Sequence, residues 1–319
     1  MTTNPFKAYS KLILAIFGWA GVYHAASIMV VSMDVYTLGF FRYLLASIIL
    51  LTILKVRRGY VYNHQEFCNN WPILVLLGII GIGLYNIAFF NAEKHLSANT
   101  VALIFAVNPC LTALLAAIFM KTKLRILGYF GMLIALCGTL GVINFANPQC
   151  GKFFCSDIIH KLSLGEIYAL LMCSFAAVFS ILNRVAALRR IDALTITTYA
   201  AIFGMLTLLP MVVWEGNLFS LTQQNLGFWL AMLYTIIVGS VIAYFWYAEA
   251  INDLGVNQVV VFLNGIPFAT IILGVIFFHE ATTLPVIGCG AIIVVGVIIT
   301  NRSIIIGKNK SAQTGANKT

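Results

Sequence analysis

Arg42, His24, Glu249 and Glu280 are ionisable groups set in or beside long apolar runs, and Asn86, Asn108, Tyr244 and Asn264 are hydrogen-bonding groups inside such runs. A charge or an amide in apolar surroundings is costly unless something polar meets it, so each position marks a functional candidate. Two kinds of chemistry are open to such a set: holding a polar solute and passing a proton. Trp19, Tyr85 and Trp246, in the same runs, add aromatic faces with a polar tip, a surface suited to an amphipathic ligand. Each group also has a structural reading, as a packed aromatic or an interhelical hydrogen bond.

Arg42 has three uses open to it. It could bind a carboxylate, pair with Glu93 or Glu280 as a gate, or extend its side chain to the membrane interface as a structural cation. Glu249 stands near the end of its run, where proton transfer and simple solvation are both available. The pair His279-Glu280 closes another run, and a helix C-terminus favours a cationic histidine there but not a glutamate. His24 is the histidine well inside a helix, and its titration range suits it to proton sensing. Five histidines show no metal-ligand spacing, no phosphate-binding glycine loop is present, and no catalytic signature is evident. No catalytic residue, metal or cofactor is therefore expected.

The elements that must carry these residues follow from composition. The chain of 319 residues is 61% hydrophobic and 9% charged, with a mean hydropathy of +0.97. A soluble domain is about 25% charged, so this chain cannot cover a surface facing water. A soluble enzyme, a nucleic-acid binder and a secreted disulfide scaffold are excluded, and lipid is the main solvent. Ten apolar segments run roughly over 9–31, 36–54, 72–91, 98–120, 126–145, 164–184, 194–214, 228–250, 256–278 and 284–305. Backbone groups in lipid must bond within their own segment, so these are read as helices, and no segment has the alternation of a membrane β-barrel. The first run is read as a retained helix, since Val22-Tyr-His-Ala-Ala-Ser makes a poor cleavage site.

With ten helices and both termini on one side, fifteen of the nineteen lysines and arginines fall on that side and three on the other, while Arg42 lies within a helix. Positively charged loops stay cytoplasmic, so both termini are expected there, in an inner or plasma membrane. The formal net charge of +9 is loop charge that sets orientation and needs no nucleic-acid partner.

A shift of 158 residues aligns the two halves without a gap. Asp34 falls on Asp192, Trp71 on Trp229, Gly81 on Gly239, Asn99 on Asn257, Pro109 on Pro267 and Gly138 on Gly296. Asn86 and Tyr244 become equivalents in helices 3 and 8. Each copy holds five helices, an odd number, so the second enters the membrane upside down. Inverted repeats place solute sites at mid-membrane between the copies. Pro109 and Pro267 each free a backbone carbonyl and allow a kink beside such a site. Asn257 and Asn264, seven apart, share a face of helix 9. Glycines at 128, 131, 138, 141, 288, 290 and 296 suit close packing of helices, within the chain or at a dimer face.

These residues resemble a known family. Phe41-Arg42-Tyr43, then Phe90-Asn-Ala-Glu-Lys-His-Leu-Ser-Ala with Pro109, and Tyr247-Ala-Glu-Ala-Ile-Asn-Asp-Leu-Gly with Pro267 and Phe278-His-Glu, are similar to the EamA-type branch of the drug/metabolite transporters over residues 9–305. One departure is Thr122 opposite Glu280, so an acidic role there does not carry over to both halves. The resemblance implies a central cavity bounded by helices 1, 3, 4, 6, 8 and 9, and export of an amino acid or similar metabolite.

The expectation is an all-α membrane protein of ten transmembrane helices in two inverted five-helix repeats. Residues 1–146 form the first repeat, 147–162 an outer connecting loop, 163–305 the second repeat and 306–319 a disordered cytoplasmic tail. It is read as a secondary transporter of a small organic solute, with membrane lipids and the solute as partners, proton coupling open, and a monomer or homodimer as the assembly. A membrane-embedded enzyme and a non-transporting scaffold are the rivals. Cys150 and Cys155 both fall in the outer loop, where a bridge between them and a pair of free thiols are both open.

Overall fold

The computed structural model describes residues 5–120, 125–146, 162–215, 217–254 and 262–316. Among them run ten membrane-type helices and no strand. These are α1 (Pro5–Met29), α2 (Val35–Arg58), α3 (His64–His95), α4 (Ala98–Phe119), α5 (Ile126–Ala146), α6 (Leu164–Leu188), α7 (Ala193–Glu215), α8 (226–254), α9 (Leu263–Phe278) and α10 (Leu284–Ala316). Eight contain segments long and apolar enough to cross a membrane, and α8 and α9 contribute the shorter apolar helices Leu226–Ile242 and Leu263–Phe278. Cys150 and Cys155 lie outside the described residues; Cys68, Cys110, Cys137, Cys173 and Cys289 are free thiols.

Helix starts follow from side-chain caps, which replace the partners that the first backbone N–H groups lack. The Asp34 carboxylate accepts from the Thr37 N–H at 2.7 Å to open α2. Its repeat equivalent Asp192 accepts from the Leu194 N–H at 3.2 Å to open α7. The aspartate match between the halves is thus a matched pair of caps. Asn63 accepts from the N–H groups of Gln65 and Glu66, so α3 begins two turns ahead of its apolar run at 72. Ser163 and Glu166 form a reciprocal capping box at the head of α6. Gly59, with φ 76°, ends α2 after a last turn carrying Lys55, Arg57 and Arg58, cations that suit a helix C-terminus. The α10 helix runs on to Ala316.

The two repeats interlock rather than sit side by side. The first helix of each packs on the other copy: α1 against α8 and α9, and α6 against α3 and α4. Two symmetric pairs complete the bundle, α2 with α7 and α5 with α10. The outer faces keep large apolar side chains exposed, among them Leu127, Phe130 and Leu133 on α5 and Ile292 and Val295 on α10. So extensive an apolar exterior matches lipid as the solvent.

The α5–α10 contact depends on missing side chains. A Cβ on Gly296 would stand 2.5 Å from the Gly131 carbonyl, and one on Gly138 would stand 2.8 Å from the Ile293 backbone nitrogen. Helices meeting backbone to backbone gain dispersion contacts and let side chains bond across, as Thr300 does to the Gly128 carbonyl at 3.3 Å. Most of the glycines noted in the sequence therefore serve packing inside one chain. Gly288 is different, with nothing within 4 Å of a built Cβ. Gly138→Val should lower the thermal unfolding midpoint in detergent by an amount corresponding to about 1–3 kcal/mol, through overpacking against backbone. Gly288→Ala should leave it unchanged or raise it slightly.

Candidate functional site

The helices that meet at the centre of the bundle are the irregular ones. A π-helical segment interrupts α3 at Ile79–Leu84 and another interrupts α8 at Thr235–Ile242, positions that correspond under the 158-residue shift. In α4 the regular hydrogen bonding breaks at Ala106 and Val107, just before Pro109. In α9 a short 3-10 turn, Leu263–Gly265, precedes Pro267. Proline removes a donor and π-turns displace carbonyls, so each site leaves acceptors to be met from elsewhere. Polar side chains meet them. Asn86 donates to the Ile82 carbonyl at 2.7 Å, the Trp19 indole to the Gly239 carbonyl at 3.1 Å, and Ser240 to the Thr235 carbonyl at 3.0 Å.

Between these segments lies a cavity of about 340 Å³. That is the size of a small-molecule site, ~300–1,000 Å³. Its walls come from both repeats: α1, α2, α3 and α4 of the first, and α6, α8 and α9 of the second. Glycine makes the walls thin. A Cβ on Gly81 would stand 1.8 Å from the Phe179 ring, and one on Gly239 would stand 2.5 Å from Val22. These two glycines are repeat equivalents, each meeting the first helix of the opposite copy. The lining is largely aromatic. Trp19 and Tyr247 meet edge to face at 5.3 Å, and Tyr85 stacks on Phe89 at 6.1 Å. Asn108 and Ser180 supply neutral polar groups, and Asn108 is held by donating to the Cys173 carbonyl at 3.1 Å.

Arg42 brings charge to this wall. It is 7% exposed, and its Nη1 and Nη2 donate to Asn86 Oδ1 and Ser240 Oγ, each at 3.4 Å. Its guanidinium carbon lies 5.4 Å from the Tyr43 ring centre, within cation–π range.

Beyond the aromatic floor, at the bundle end opposite the start of α1, a polar cluster joins the repeats. His24 Nε2 donates to the Thr270 carbonyl at 2.8 Å, its ring stacks on Phe278 at 4.5 Å, and its Nδ1 faces the Glu280 carboxylate at 3.7 Å. Asn99 donates to Thr282 at 2.9 Å. Glu93 is buried there, and neither carboxylate oxygen has a hydrogen-bond partner among the described residues. The cavity therefore has α1, α4 and α9 locked together on this side, while its lining extends toward the other end through Ser180, Tyr247 and Leu263.

Residues 6–144 and 163–302 each match the EamA-like transporter family. The chain is a member of that family. Relatives include an uncharacterized transporter, YyaM, of Bacillus subtilis, 28% identical with 88% of this chain and 92% of that one covered. Another is a probable terminal-alkyne amino-acid exporter of Streptantibioticus cattleyicolor, 21% identical with 97% of each chain covered. A solved crystal structure shares the fold with a TM-score of 0.57 at 19% identity, over 92% of this chain and 95% of that one.

Within this EamA fold the residues singled out from sequence separate into three places. Trp19, Tyr85, Asn108 and Arg42 line the cavity. Asn86, fully buried, stands behind the wall and fixes Arg42 rather than facing the space itself. Trp246 is half-buried and off the wall, because the helical turn of α8 presents Tyr247 instead. Asn264 is also off it: it is buried between the lining residues Leu263 and Ile266, with its Nδ2 unpaired among the described residues. Tyr244 belongs to α8, but its side chain and Asn257 lie outside the described residues. His24 and Glu280 sit in the end cluster, not in the cavity, since α1 carries His24 past the aromatic floor. Glu249 is at the opposite end, exposed and ion-paired with Lys11. Arg42 pairs with neither Glu93 nor Glu280 and does not reach the interface; burial toward Asn86 and Ser240 overrides both expectations.

Sequence reading missed Phe105, Phe179, Ser180 and Tyr43 as lining groups. Phe179 had a usable signal, since it is the residue one repeat on from Gly21 and stands next to the counterpart of Val22, at the crossing with the other copy. The others are ordinary aromatics and a serine in an aromatic-rich chain. The cavity should be reachable by water. Ser180→Cys is expected to react with a small methanethiosulfonate reagent in the purified protein, read by peptide mass, while Ala92→Cys in the closed cluster stays unmodified over the same time.

Proposed function

We propose that this EamA-family protein is a secondary transporter of the inner or plasma membrane, moving a small amphipathic metabolite of amino-acid type outward by alternating access. The observation that carries the reading is the solute-sized cavity between two inverted repeats, aromatic on most of its wall and shut at one end by polar contacts. The relative named as a probable amino-acid exporter supports the solute class and the direction, as does the resemblance in the chain's own motifs. The lysine and arginine distribution puts both termini in the cytoplasm, so the cavity in this state extends toward the cytoplasmic side and the His24–Glu280 cluster is the external closure.

Alternating access then has a physical form. Interlocked repeats form two groups: α1, α8 and α9 on one side, and α3, α4 and α6 on the other. Rocking one group against the other breaks the Asn99–Thr282 contact, while His24–Thr270 moves as part of its own group, and closes the cytoplasmic side over the bound solute. Glu280 and Arg42 act on this cycle as gate and solute contact, and Glu249 with Lys11 holds α1 to α8 at the cytoplasmic end. Proton coupling is assigned to the external cluster, where His24 and Glu280 face each other.

Counterflow in proteoliposomes tests this. Vesicles preloaded with unlabelled solute should accumulate labelled solute saturably for at least one member of a panel of amino acids and their aromatic derivatives. Phe179→Ala, which opens the wall without touching a charge, should lower apparent affinity about tenfold, roughly one lost aromatic contact. No saturable counterflow for any member of the panel, by protein shown to be folded, would remove the transport reading.

A further inference from the structure

Arg42 carries a charge that the protein itself leaves uncompensated. Its two hydrogen bonds, both 3.4 Å, go to neutral oxygens, and its Nε has no partner. None of the carboxylates whose side chains are described pairs with it. Among the described residues lining the cavity it is the one charged group; no aspartate, glutamate, lysine or histidine shares the wall. A guanidinium held in low-dielectric surroundings without a counter-charge attracts an anion strongly, and its planar fork matches a carboxylate in bidentate fashion.

The neighbours hold the fork in place without neutralising it. Asn86 commits its amide nitrogen to the Ile82 carbonyl, which turns Oδ1 toward Arg42. Ser240 commits its hydroxyl hydrogen to the Thr235 carbonyl, leaving its lone pairs to the guanidinium. One acceptor is seated by the π-turn of each repeat, so Arg42 stands between the two copies. A Cβ on Gly239 would lie 3.8 Å from Nη2, an ordinary contact, so the backbone of this π-turn comes up against the guanidinium without crowding it. Most of the remaining wall, with Trp19, Tyr23, Tyr85, Phe89 and Phe179, is aromatic, and Asn108 and Ser180 are its neutral polar groups.

We infer that Arg42 is the anion subsite of the cavity and that the solute is an organic monocarboxylate with an aromatic or apolar body. This rests on the transport reading and narrows it. The carboxylate is the selected group, and an α-amino group is not required, because no described wall residue offers it an opposite charge.

Equilibrium dialysis of the purified protein against radiolabelled phenylacetate, with phenylacetamide as the uncharged match in shape, tests the inference. The parent should bind the acid at least about tenfold more tightly than the amide, the ratio expected for one charge-assisted pair. Arg42→Gln should bring the two within about twofold while amide binding persists, which also shows that the cavity is intact. Arg42→Lys should keep part of the preference. Ser240→Ala, which removes one orienting acceptor, should weaken acid binding and leave the amide unchanged, and it provides the test should Arg42→Gln not fold. Equal binding of acid and amide by the parent, retention of the full preference by Arg42→Gln, or no phenylacetate binding overturns the subsite. Saturable counterflow of uncharged solutes alongside such a result leaves the transport reading standing.

Discussion

Inside a bilayer there is no water to meet a backbone carbonyl that has lost its helical partner, and this constraint organises the molecule. The α3 and α8 helices give up regular bonding over matched π segments, and α4 and α9 give it up just before matched prolines. Irregular backbone at membrane depth is tolerated only where protein or an aqueous cavity receives it. All four breaks therefore converge on the centre, and the side chains that satisfy them build the site. Asn86 and Ser240, each bonded to a carbonyl of a π segment, are the residues that hold Arg42.

Duplication supplies the scaffold, and departures from symmetry supply the chemistry. Gly81 and Gly239 are equivalent in position and in task, each admitting the first helix of the other copy. Asp34 and Asp192 are equivalent caps. Arg42, by contrast, has Ala200 as its counterpart, and Glu93 has Ile251, so the guanidinium on the wall and the buried carboxylate of the end cluster each belong to one copy alone. A symmetric bundle would offer the same environment in both orientations; these substitutions make the two copies contribute different groups to the wall and to the end cluster.

Much of the architecture was legible because membrane helices must be apolar throughout and their loops must not be. The repeat was legible through Asp, Trp, Gly and Pro, residue types whose positions are fixed by caps, interfaces, close approaches and kinks. The site was legible only in part. Trp19, Tyr85, Asn108 and Arg42 stand on the wall, yet Asn264 and Trp246 miss it by about a fraction of a helical turn. In a helix apolar on every face, periodicity carries no information about which side meets the cavity. The π segments compound this, since an extra residue per turn rotates everything beyond them. Depth along α1, and not side-chain type, puts His24 in the end cluster.

The central claim is that one cavity is served by two ends that open in turn. Double electron–electron resonance on two spin-label pairs measures this directly. One pair, at Lys94 and Thr283, spans the closed end; the other, at Leu188 and Asp253, spans the end toward which the cavity extends, and all four positions are exposed. In lipid, a change of state should widen the Lys94–Thr283 distances while shortening the Leu188–Asp253 distances, in proportion across conditions. Distances that stay single and fixed at both ends, or that widen together, would contradict alternating access through this cavity.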